Sequence, residues 1–149
     1  MSQNERTGWR DLRYSAWHRK VLPSYTFLMD ADWWEYGFYN GKLVILFYYE
    51  LKAIRPDGTF PEVEDSQWQM IKYHQERGIN AAVVWYSFDQ SGEPLSFFMQ
   101  ETPTMPRYEI PSMDWIQFIK NLHQPQEIKQ QFLRQCREEK QLWLPCPGR

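Results

Sequence analysis

The spacing of apolar and polar positions changes several times along the chain, and each change marks an element. Over residues 7–21, Trp9, Leu12, Ala16 or Trp17, and Val21 recur at helical spacing behind Thr7, a candidate N-cap, and Pro23 ends the run. Residues 27–36 read as a strand in which Asp30 and Asp32 interrupt large apolar side chains. Gly37-Phe38-Tyr39 then leads into Asn40-Gly41, a strong hairpin-turn signal. A second strand follows over residues 42–54; its apolar run ends in Glu50-Leu51-Lys52.

Further on, residues 65–77 carry a helical pattern. Ser66 and Gln69 stand at capping-box spacing, and Gly78 sits where a C-terminal glycine cap belongs. Residues 79–88 read as a buried strand, Ser91-Gly92 as a turn and residues 95–100 as a returning strand. Residues 102–111, with Pro103, Pro106 and Pro111, read as an ordered loop. Ser112 caps a helix over residues 113–122 with Trp115, Ile116, Phe118 and Ile119 as its apolar face, and a last helix covers residues 126–142. A strand–helix–strand step after a hairpin implies a central mixed β-sheet with flanking helices, an α/β fold. With no repeat or internal boundary, the 149 residues read as one domain with a C-terminal helical extension.

Composition narrows the function classes. The chain is long enough to bury a core, and aromatic residues make up 17% of it. Its least polar stretch, residues 43–49, is far too short to span a bilayer. The opening MSQNERTGWRDLRYS has no apolar run of signal-peptide type, so a cytoplasmic protein without membrane contact is expected. Cys136 and Cys146 read as unlinked thiols. A net charge of −2 gives no global nucleic-acid signature. Cations nevertheless gather early, at Arg6, Arg10, Arg13, His18, Arg19 and Lys20 against Glu5 and Asp11, and such a cluster can contact phosphates. His18 could also assist a proton transfer, although a partly exposed structural role is the simpler reading. His74 and His123 are isolated in sequence and fit no metal spacing.

Side chains alternate along a strand, so Glu50 and Lys52 share a face. Where Asp30 and Asp32 stand depends on the turn. A two-residue Asn40-Gly41 loop pairs Tyr39 with Lys42 and puts Ala31 opposite Glu50, with both aspartates on the other face. A three-residue loop with a bulged Gly41 pairs Phe38 with Lys42 and brings Asp30 opposite Glu50, with Asp32 diagonal to it. A bulge at Gly37 would have the same effect. Carboxylates meeting at a strand edge are hard oxygen ligands of the kind Mg²⁺ takes, and a neighbouring lysine can orient or deprotonate a water and offset phosphate charge.

This arrangement resembles the PD-(D/E)XK nuclease superfamily, whose signature is an Asp on one strand followed by Glu or Asp, one residue, and Lys on the next. Here the residues are Asp32 (or Asp30) and Glu50-Leu51-Lys52, with Ala31 in place of the proline. The Asp-apolar-apolar run before Asn-Gly is similar to archaeal Holliday-junction resolvases and favours Asp32. Gln69-Met70-Ile71-Lys72-Tyr73 matches the Gln-x-x-x-Tyr helix of the exonuclease branch, with Gln67 as an alternative glutamine. The resemblance implies an αβββαβ restriction-endonuclease-like core and hydrolysis of DNA phosphodiester bonds with Mg²⁺ or Mn²⁺, in a homodimer or larger complex. It implies Asp32, Glu50 and the Leu51 carbonyl as metal ligands, Asp30 as an alternative, and Lys52 serving the water. Gln69 and Tyr73 complete the site, and Arg10, Arg13, His18 and Arg19 are candidate backbone contacts. Two plainer readings stand beside it. Asp30, Asp32 and Lys52 are also what an edge strand uses against aggregation. The aromatic surface also suits a non-enzymatic interaction module or an inactive nuclease-like subunit.

Overall fold

The computed structural model describes residues 2–5, 8–11, 13–24, 27–29 and 33–143. Two short strands, β1 (Ser2–Glu5) and β2 (Gly8–Asp11), pair antiparallel as a separate ribbon. Helix α1 (Arg13–Val21) follows. The first helix therefore starts later than its periodicity suggests. Gly8 is a weak helix former, and residues 8–11 satisfy their backbone groups across the ribbon instead.

A six-stranded sheet forms the body of the domain, in the spatial order β3 (Phe27–Met29), β4 (Trp34–Tyr39), β5 (Lys42–Ala53), β6 (Ala81–Phe88), β7 (Pro94–Gln100) and β8 (Tyr108–Ile110). Only β5 and β6 pair parallel, and helix α2 (Asp65–Gln75) makes the crossover that parallel neighbours require. Helices α3 (Ser112–Leu122) and α4 (Pro125–Trp143) end the fold. A mixed sheet flanked by helices is what the element order called for.

Four local expectations are corrected. The single strand over residues 27–36 is two antiparallel strands, β3 and β4. Trp33, with φ 46°, adopts the left-handed conformation just before β4 begins, which an extended strand cannot accommodate. The capping box of α2 uses Glu64 and Gln67, whose side chain accepts from the Glu64 amide at 3.0 Å, rather than Ser66 and Gln69. Pro111 is the N-cap of α3, and the Ser112 hydroxyl donates to the Pro94 carbonyl. Within the proline-rich loop, residues 108–110 form the edge strand β8 against β7. Gly78 does take a positive φ of 74° behind α2.

The hairpin keeps the two-residue register near its tip and then shifts to one that neither option gave. Asn40 and Gly41 (φ 49° and 75°) form a two-residue turn, and Tyr39 pairs with Lys42. Tyr36 faces Ile45 but Glu35 faces Phe47, so Leu46 is an extra residue, a bulge on β5 instead of at Gly37 or Gly41. Beyond it the register is Trp34 with Tyr48. Because a one-residue slip exchanges the two faces of a strand, the bulge keeps Val44, Leu46, Phe47 and Tyr49 in one apolar layer and turns Tyr48 to the other.

Two cores result. On one face α1, α3 and α4 cover β5–β7 through Tyr14, Trp17, Trp115, Ile119, Ile128 and Phe132. On the other, α2 covers Tyr48, Val83 and Trp85 with Ile71 and Trp68. Among the described residues no helix is long and apolar enough to cross a membrane.

Candidate functional site

The end of β5 carries the sequence motif. The last described contact of β5 on its β4 side is the Tyr49 amide donating to the Trp33 carbonyl at 3.1 Å. Residues 50–53 continue beyond it, paired on the other side with residues 83–86 of β6. Alternation places Glu50 and Lys52 with Tyr48 on the α2 face and Leu51 with Tyr49 on the opposite face. Tyr48 donates its hydroxyl to Glu50 Oε1 at 2.7 Å. Glu50 and Lys52 are half-buried, and Lys52 makes no ion pair among the described residues.

The backbone adds a further oxygen. The Tyr48 amide donates to Asn80 and the Ile54 amide to Tyr86, so the even-numbered residues of β5 bond to β6. In a parallel ladder the residues between them direct their N–H and C=O to the other side. The Leu51 carbonyl accordingly faces away from β6, on the side where described β4 pairing has ended. A carboxylate and a backbone carbonyl are hard donors that suit Mg²⁺ or Mn²⁺. Among the described residues no three His, Cys, Asp or Glu side chains converge on a metal position. Asp30 and Asp32 lie outside the described residues.

The helix half of the motif lies open to solvent. Gln69 is exposed, and Tyr73 is 48% exposed. The Arg77 guanidinium stacks 3.4 Å over the Tyr73 ring.

The cations of α1 fall on the other layer. Through Tyr14, Trp17 and His18, α1 packs on the face carrying Tyr49 and Leu51, away from Glu50 and Lys52. His18 is 2% exposed, so it is neither a surface phosphate contact nor a partly exposed residue. Its neighbours draw it inward: Tyr14 and Trp17, one helical turn and one residue away, belong to the apolar stripe. Arg13 lies over the Phe88 ring at 5.7 Å and Arg19 is exposed. The side chain of Arg10 is outside the described set. On the face of Glu50 and Lys52, Arg107 stacks 3.9 Å over Phe60 and 4.3 Å over Trp85, the cross-strand partner of Lys52. It is exposed and has no ion pair among the described residues.

No protein-family model, curated protein or solved structure matches the chain. Its chemistry therefore has to be read from its own side chains.

A second polar group, invisible in the sequence reading, lies inside the three-helix layer. Glu35, fully buried on β4, receives His18 Nε2 at 3.1 Å and His123 Nε2 at 2.9 Å on Oε1, and the Tyr49 hydroxyl at 2.8 Å on Oε2. Tyr49 has one hydroxyl proton, committed to an oxygen that can only accept. Its 2.9 Å contact with Tyr14 is therefore made by the Tyr14 proton, and Trp115 Nε1 donates to Tyr14 at 3.2 Å. Burial pushes the Glu35 pKa up, but the hydrogen bonds from His123 and His18 and their charge outweigh it, and the net shift is downward. Burial first, and then the charge on Glu35, push both tyrosines well above their ordinary value, so they remain donors.

This network joins α1, β4, β5 and the end of α3, and each of its members is sealed from solvent. The available signal was a lone glutamate between aromatic residues on a strand, which needs buried partners. Sequence could not say that His18 and His123 supply them.

Proposed function

We propose that the chain is a nuclease, a metal-dependent phosphodiester hydrolase acting on DNA, with a restriction-endonuclease-like core. The observation that carries this reading is the pairing of Glu50 and Lys52 on one face of β5, where that strand runs past its last described contact with Trp33. Asp32 immediately precedes Trp33 in sequence, and Glu50 immediately follows Tyr49, the residue bonded to Trp33. The order α1, β3–β5, α2, β6 supports the αβββαβ core. The φ of 46° at Trp33 supports it as well, since backbone strain costs about 1–3 kcal/mol and concentrates at functional sites.

In this reading Asp32, Glu50 and the Leu51 carbonyl hold Mg²⁺ or Mn²⁺, with Asp30 as the alternative carboxylate. Bound there, the ion would polarise the scissile phosphate and lower the pKa of a water. Lys52 orients that water and offsets the extra negative charge of the transition state. Gln69 and Tyr73, exposed on α2, contact the substrate, and Arg107 is the phosphate contact on this face. A homodimer or a larger complex would supplement so few cations.

A second reading is favoured by the exposed apolar side chains Phe38 and Leu43, cross-strand partners at the hairpin tip, with Met70 and Tyr73 on α2. In that reading the same fold is a protein-interaction module without catalysis.

Cleavage of single-stranded, duplex and branched DNA with Mn²⁺, comparing wild type with Lys52→Ala and Glu50→Ala, separates the two. Activity in wild type that both variants lose is expected. Equal activity in all three, or none in wild type, overturns the nuclease reading as stated.

A further inference from the structure

Resting on that reading of Glu50, we infer that Tyr48 is a positioning residue that fixes which carboxylate oxygen of Glu50 meets the cation. Three observations lead there. Strand alternation puts Tyr48 on the same face as Glu50, and the Leu46 bulge makes that the α2 face, so its hydroxyl reaches along the strand to Oε1 at 2.7 Å. The ring has little freedom: Tyr48 is 3% exposed, with Trp34 at 4.7 Å and His74 at 4.4 Å between ring centroids. Its hydroxyl is thus a donor at a set position, whereas the half-buried glutamate it holds would otherwise sample several rotamers.

The chemistry follows from counting lone pairs. A hydroxyl-to-carboxylate bond at 2.7 Å is in the short, charge-assisted range. It occupies one site on Oε1, and Oε2 takes no hydrogen bond among the described residues. The carboxylate is then left to present Oε2 as a single-oxygen ligand, the mode suited to an ion that demands near-octahedral coordination and keeps several waters. Loss of a hydrogen-bond partner of a ligating carboxylate typically weakens metal binding about 10–100-fold.

The test is Mn²⁺ binding, read from the spectroscopic signal of free Mn²⁺, in wild type, Tyr48→Phe, Glu50→Ala and Glu50→Asp. Tyr48→Phe keeps the ring contacts, and we expect a dissociation constant raised about 10–100-fold, with the melting temperature in EDTA nearly unchanged. Glu50→Asp withdraws the carboxylate from the hydroxyl while leaving Tyr48 packed, and adding Tyr48→Phe to it should cost nothing more. Wild-type affinity in Tyr48→Phe, or fully additive losses in the double variant, overturns the role of Tyr48 and leaves Glu50 as a ligand. Wild type that binds no Mn²⁺, or Glu50→Ala that binds as wild type does, overturns the ligand assignment itself.

Discussion

Glu35 on β4 and His123 at the end of α3 meet at 2.9 Å with both side chains withdrawn from water. Neither group is stable there alone. A carboxylate taken from water costs several kcal/mol unless its oxygens are matched by donors, and here three side chains from three other segments supply them. The buried network is thus read as the fastening of the three-helix layer onto the sheet, on the opposite face from Glu50 and Lys52.

Removing the carboxylate alone should be severe. Glu35→Ala leaves His18, His123 and the Tyr49 hydroxyl without their acceptor, and a loss of about 3–5 kcal/mol is expected from chemical denaturation. A variant with an unchanged denaturation midpoint would show that these contacts contribute nothing. Mn²⁺ binding at Glu50 should survive wherever the variant remains folded.

Acid should act through the same residue. The folded-state pKa of Glu35 lies below its unfolded value, near 4.3 for a free glutamate, because the donor bonds outweigh burial. Its contribution is therefore complete above the unfolded value and is lost as pH falls through the folded one. Thermal unfolding measured from neutral pH downward should lose stability below about pH 4.3, with a shallower slope in Glu35→Gln. Asp57 and Asp89 are also held low, by Thr59 and Ser91 respectively, and persist in the variant as an internal control. Identical acid slopes in the two proteins would contradict the assignment.

At Gly37, α4 lies close against the sheet. A Cβ placed there would come within 2.8 Å of Ile128 Cδ1 and 3.5 Å of Leu46 Cδ1. Alanine asks Ile128 only to change rotamer, but a β-branched side chain asks for more. Gly37→Val should cost about 1–3 kcal/mol, and Ile128→Ala added to it should recover part of that loss. Strict additivity in the double-mutant cycle would mean that the two do not touch.

For DNA contact, the decisive comparison is between the two faces. In EDTA, where cleavage is suppressed, Arg107→Ala should weaken DNA binding across all sequences and reduce the salt slope by about one. Arg19→Ala, on α1 across the sheet, should leave that slope as it is. The reverse result would move the DNA to the α1 face.

Much of the fold was legible because its signals are local. Asn40-Gly41 marked the turn, the apolar runs set β5 and β6, and Gly78 ended α2, each through backbone preferences acting over a few residues. The Glu50-x-Lys52 spacing set those two side chains on one face by strand alternation alone. Which face it would be was not local. It depends on Leu46 entering the ladder as an extra residue, and the apolar run of β5 packs its residues into either core. Nor could sequence show that His18 turns inward, or that His123, far along the chain, arrives at Glu35. The cost of burying a charge demands partners, but only the packing of α1 and α3 against the sheet chooses which ones.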